Sequence, residues 1–196
     1  MADIGCRYFK WAPITNEPAG ALPQYGDVLH LEGLESVNDD PQYNEAKQSG
    51  DDHVRNHIVA FKECPLTCGL NEIQLAHYAA MIGATYTPGA SGAPGTIVEN
   101  IDDAPPAGGC GFITSVYTDD DGYQYCGEYY PKVKAVKQGR NRTTKGDTIN
   151  LTGRSFKLNA VACESGDWHE ESDPFDTEDA AKAWVDARVK KYVSGG

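Results

Sequence analysis

The chain has 196 residues, enough for one ordinary domain with a substantial core and hardly enough for two. Its 29 Asp and Glu against 17 Lys and Arg give a formal net charge of -12. That balance argues against a surface built to hold nucleic acid tightly, because such binding is dominated by Lys and Arg neutralising phosphates. No apolar run approaches the length of a membrane span, and Met1-Ala2-Asp3-Ile4-Gly5 lacks the basic start and apolar stretch of a signal peptide. Folding in a cytoplasm, without a membrane partner, is the expectation. In that reducing compartment the six cysteines are expected as buried thiols, and the sequons at Asn141 and Asn150 carry little weight.

Arg7 to Ala12 reads as an opening strand rich in aromatics and ended by Pro13. A Pro/Gly-rich loop then leads to Gly26. Val28 to Leu31, with a less regular continuation to about Val37, predicts the next strand, and Ile58 to Cys68 its partner. Between them Asn38 to Asn56 is polar, with few core-forming residues, and fits the distal part of a long hairpin. Asn71, with Gln74 three residues on, predicts a capped helix that carries Ile73, Leu75, Ala76, Ala79, Ala80 and Ile82 and stops at Gly83.

Thr85 to Gly109, dense in Gly, Pro, Ala and Ser and interrupted by Thr96-Ile97-Val98, predicts a long mobile loop. Phe112 to Tyr117 and Tyr123 to Cys126 predict a hairpin turning through Asp119-Asp120-Asp121-Gly122, with strand signal continuing over Tyr129 to Val136. Asp147 to Cys163 alternates as a long strand interrupted near Gly153. A final helix starts at Asp176 or Thr177, with Glu178 and Asp179 in its first turn and Ala181, Trp184, Val185 and Val189 on one stripe. The expected class is mainly β with two helices packed on it.

Charge is segregated along the chain. From Lys132 to Lys145 six basic residues occur with no acid, whereas Glu164 to Asp179 holds eight carboxylates and no Lys or Arg. The ordinary reading of each run is a solvated face. A sharper one is that the basic loop of one copy meets the acidic segment of another, head to tail.

Motifs for chemistry are sparse. Cys64 and Cys68 have a zinc-like spacing without a second ligand pair, and His53 and His57 lack the Glu of a metalloprotease helix. Tyr117 to Glu128 places Asp119, Asp121, Gly122 and Glu128 as in a calcium loop, but Tyr at its first position and strands on both sides favour a hairpin turn. There is no phosphate loop, serine elbow or dinucleotide fingerprint. Neither an enzyme nor a cofactor is expected.

A series of segments, in one order along nearly the whole chain, resembles the major tail, or tail tube, protein of long-tailed bacteriophages. They are Ala12-Pro13-Ile14 after the aromatic strand, Tyr43 to Lys47, Pro131 to Lys134, Thr144 to Ile149, Gly166-Asp167-Trp168, and Phe175 to Trp184. The resemblance implies a single domain, a β-sandwich or partly closed barrel whose long hairpins join those of neighbours in a hexameric ring. Loops are placed at about 12–26, 38–56, 85–109 and 138–146. Stacked rings would form a hollow tube in the virion, carrying double-stranded DNA without gripping it, beside tail-tip, tail-terminator and tape-measure partners.

On this reading the ring-forming hairpins lie within Val28 to Cys68 and Cys126 to Cys163. Glu35, Asp39, Asp40, Glu45, Asp51 and Asp52 are candidate lumen acids. Lys137, Arg140, Arg142 and Lys145, with the linker Ala12 to Gly26, are candidates for ring-to-ring contacts. The alternatives are another acidic β-rich virion component, such as a head decoration or tail-tip protein, and a zinc-binding module or metal-dependent hydrolase.

Overall fold

A computed structural model describes residues 2–50, 53–90, 92–139 and 154–193. In chain order the elements are β1 (Ala2–Asn16), β2 (Gln24–Tyr25), β3 (Leu29–Leu31), β4 (Leu34–Asp39), β5 (Gln42–Gly50), β6 (His53–Leu70), α1 (Leu75–Ile82), β7 (Thr85–Thr87), β8 (Thr96–Val98), β9 (Ala107–Thr118), β10 (Gly122–Val136), β11 (Arg154–Ala160), β12 (Glu170–Glu171) and α2 (Glu178–Arg188). The protein is mainly β. Ten strands join one antiparallel sheet in the order β2-β1-β9-β10-β11-β6-β4, with β3 on β1, β5 on β6 and β12 on β10.

The sheet curls, so that β1 and β4 face one another across a cleft, but no ladder joins those two strands among the described residues. It is therefore an open sheet and not a closed barrel. Alternation decides the inner face: Phe9 and Trp11 of β1, Cys64, Leu66, Cys68 and Leu70 of β6, and Leu158 of β11 are at most 1% exposed. Phe112, Tyr130 and Val133 complete this core, and Tyr78, Met81 and Ile82 of α1 plug one end of it.

The outer face of β9 and β10 is covered by α2. Ile113 packs on Ala181 and Val185, and Tyr129 packs on Val189. Close approach depends on Gly127, where a Cβ would run into the Trp184 ring. Thr177 caps this helix by accepting from the Ala180 N–H, and Glu178 and Asp179 occupy its first turn, as the sequence predicts.

Five expectations are corrected. The loop placed at about 38–56 is largely strand, with Gln42–Gly50 forming β5 and His53 opening β6. β1 does not end at Pro13, which pairs with Gly108 and accepts from the Gly26 N–H, so the strand continues to Asn16. The Asn71–Gln74 capping pattern is not used: the Asn71 N–H donates to Gly33, Gln74 makes no side-chain cap and α1 begins at Leu75. Gly83 does end that helix, at φ 74°. The segment from Thr85 to Gly109 is not one loop, because β7 and β8 pair as a small hairpin and β9 already starts at Ala107. The strand predicted from Val28 to Val37 is broken at Glu32-Gly33, where Gly33 takes φ 75° and separates β3 from β4. Of the long strand predicted from Asp147 to Cys163, Arg154–Ala160 is β11 and 147–153 lie outside the described residues.

One non-glycine residue, Tyr8, sits at φ 59°. It falls where the β1–β9 register slips between Arg7 and Lys10. The left-handed backbone costs a tyrosine about 1–2 kcal/mol. Offsetting contacts come from α2: the Tyr8 hydroxyl donates to the Asp186 carboxylate at 3.0 Å, and Lys10 pairs with the same carboxylate.

Candidate functional site

Among the described residues, the hairpin of β5 and β6 carries several exposed large apolar side chains. β6 is one strand with two different halves. Cys64 to Leu70 pairs with β11 on one edge and β4 on the other, whereas His53 to Glu63 has β5 as its partner and is free on its second edge among the described residues. That free half spans about 33 Å at strand rise. Ile58 is 65% exposed, Val59 51% and Tyr43 50%. Consecutive strand residues face opposite ways, so Ile58 and Val59 leave apolar surface on both faces of the ribbon.

At the root of this arm, Phe61 stacks on Trp168 at 4.4 Å and meets Tyr43 edge-on at 6.0 Å. Trp168 adjoins Tyr130 of the core. Asn159 donates to Glu63 at 3.4 Å on the β11 side. The base is thus held while the distal ribbon is open to solvent.

Two predicted lumen acids, Glu35 and Asp39 on β4, line the cleft of about 390 Å³ that faces β1. Asp3, Glu128 and Glu171 join them, and His169 Nε2 lies 2.6 Å from Glu128 Oε2. Burial, reinforced by Glu128, pushes the Glu171 carboxyl up. Cys6 also reaches this cleft, and burial raises its thiol pKa, which makes it a weak nucleophile near neutrality.

The other described acids stand apart from this group. Asp40 is exposed after β4, its N–H donating to Pro65, and Glu45 is exposed on the arm. His57 at 3.3 Å, with Lys47, holds the Glu45 carboxyl below its ordinary value. Asp51 and Asp52 lie outside the described residues. Of the four described acids, Glu35 and Asp39 line the cleft, and Asp40 and Glu45 do not.

Of the candidate ring-to-ring bases, Lys137 pairs with Glu99 of the same chain, while Arg140, Arg142 and Lys145 lie outside the described residues. Lys132, at the head of the basic run, is partly buried against Glu17 at 2.7 Å. Several members of the acidic run are also matched internally: Glu170 binds Arg188, and Glu178 binds Lys182 and Arg7. Within the linker 12–26, Tyr25 is buried, donating to the Pro131 carbonyl at 2.7 Å and touching the Tyr129 hydroxyl at 2.5 Å.

Cys64 and Cys68 lie four residues apart along β6, about 13 Å of strand, too far for one tetrahedral ion to bind both without remodelling the strand. The segment Asp119 to Asp121 turns a hairpin, with Gly122 at φ 75° opposite Thr118. The cleft acids Asp3, Glu128 and Glu171 and the Phe61–Trp168 root were missed in the sequence. The signal for the latter was a lone Trp after a Gly-Asp pair, which spacing does not connect to residue 61. No known family model matches this chain, and no curated protein is significantly similar to it.

Proposed function

We propose that this chain is the tail tube protein of a long-tailed phage, a structural virion protein that closes into hexameric rings and stacks them into a conduit for the genome. The observation that carries the reading is the β5–β6 arm. A two-stranded ribbon is marginal in water on its own. Here no further strand pairs with either outer edge among the described residues, and beyond the root at Phe61 the ribbon leaves Ile58, Val59 and Tyr43 exposed. Such edges are an aggregation hazard in a monomer and an assembly device among identical copies, which supply the missing backbone partners.

The net charge of -12 supports a wall along which DNA slides rather than binds. The order of resembling segments along the chain adds the family. Negative-stain microscopy of concentrated and dilute protein tests the reading. Rings of uniform diameter or hollow tubes are expected in the concentrated sample. Particles of monomer size at every concentration would overturn it, and trimers or isolated rings that never stack would favour a decoration or tail-tip protein.

A further inference from the structure

Strand register places two unlike surfaces at opposite ends of the sheet. At one end the β9–β10 turn exposes Asp119, Asp120 and Asp121, none with an ion pair among the described residues. Tyr117 and Tyr123, paired across the hairpin and packed edge to face at 5.2 Å, are 39% and 68% exposed beside it. At the other end Lys134 and Val136 lie opposite Asn159 and Lys157, which puts both lysines and the valine on the outward face. Neither Lys134 nor Lys157 has an ion pair among the described residues. Val136 is 41% exposed, and the nearby Ile101 is 98% exposed in the segment that follows Glu99, the partner of Lys137.

Gly122 and Val136 bound β10, so these surfaces are separated by about 46 Å of strand. A symmetric dimer formed through either patch alone would set three aspartates against three aspartates or lysine against lysine. A head-to-tail contact sets unlike charges together, each beside exposed apolar groups, and it repeats without closing at two copies.

We propose that the Asp119–Asp121 turn, with Tyr117 and Tyr123, docks on the Lys134–Val136–Lys157 face of a second copy of this chain. This rests on the tube reading and names the contact that stacks one ring on the next. It differs from the pairing first suggested by the charge runs, because Glu170 and Glu178 are already matched within the chain.

The test uses the full chain and two charge reversals, Asp119→Lys/Asp120→Lys/Asp121→Lys and Lys134→Glu/Lys157→Glu. Circular dichroism first establishes that each folds. Sedimentation velocity and negative stain then compare each variant alone, the two mixed, and the wild type, at low and high salt. Rings that do not stack for either variant alone, tubes restored on mixing, and wild-type stacking that weakens several-fold with salt are expected. If the wild type stacks and both variants stack equally well alone, this contact is overturned while the tube reading stands. If the wild type does not self-associate at any concentration, both fall together.

Discussion

The two halves of β6 belong to one unbroken strand and live in different solvents. From Cys64 to Leu70 every second side chain is fully buried and both edges are paired. From His57 to Ala60 every side chain is exposed, and His53–Glu63 has a single strand partner among the described residues, β5. The core half therefore carries folding stability, and the arm half carries little that a monomer can use. Apolar residues appear in both, so hydrophobicity alone does not separate a core position from an association position. What separates them is the number of strands beside each.

The largest effect expected from breaking this contrast is in the core half. Leu66→Ala removes a fully buried side chain and should cost about 2–5 kcal/mol, read as a lower urea midpoint at unchanged slope. Next comes Tyr25→Phe, which leaves the Pro131 carbonyl buried without its donor and should cost about 1–3 kcal/mol in the same assay. Thr177→Ala removes the α2 cap and should cost about 1 kcal/mol. An effect on the urea midpoint as large as that of Leu66→Ala would mean that α2 is part of the core's cooperative nucleus.

In the arm, the double change Ile58→Ser/Val59→Ser should move monomer stability by no more than about 0.5 kcal/mol while raising the concentration at which larger species appear in sedimentation. A loss of monomer stability comparable with Leu66→Ala would erase the distinction between the two halves.

A pH series sharpens the same comparison. Burial pushes the Cys64 thiol up to about 11 from an ordinary value of 9.0, and raises the Cys110 thiol well above that ordinary value. Because the folded values lie above the unfolded ones, the stability these thiols contribute is intact below pH about 9 and is lost as pH rises through the folded values. Urea midpoints should fall above pH 9, and a thiol reagent at pH 8 should reach half-exposed Cys6 well before the five buried cysteines. Rapid reaction of all six would mean that the core half opens as readily as the arm.

Local signals in the sequence reached as far as local causes did. Thr177 with Glu178 and Asp179, and Gly122 after three aspartates, are set by interactions within a few residues, and their elements stand where the sequence places them. α1 starts late because the Asn71 N–H is claimed by Gly33, a partner 38 positions away that no capping pattern encodes. Pro13 reads as a terminator, yet β1 passes through it because Gly108 and Gly26 meet its flanks from distant parts of the chain. The hairpin arm was legible only in outline: the polarity of Asn38 to Asn56 fits the distal part of a long hairpin, but the same polarity reads as a loop where Gln42–Gly50 forms β5 and β6 already starts at His53. Its root was not: the Phe61–Trp168 stack joins residues 107 positions apart. The same holds for the cleft, whose acids come from β1, β4, β10 and β12 and meet because the sheet curls.

The continuity of β6 also has a mechanical consequence. A load applied along the arm is passed down the strand into the ladders from Cys64 to Leu70, where it acts parallel to β11 and β4 and perpendicular to their hydrogen bonds. All of those bonds then share the load at once, in shear, instead of opening one after another as in peeling. An arm joined to the core through a flexible linker would yield at the linker. Here the weak ribbon is fastened along the direction in which its anchor is stiffest, and a pull on the arm does not by itself unravel the fold that holds it.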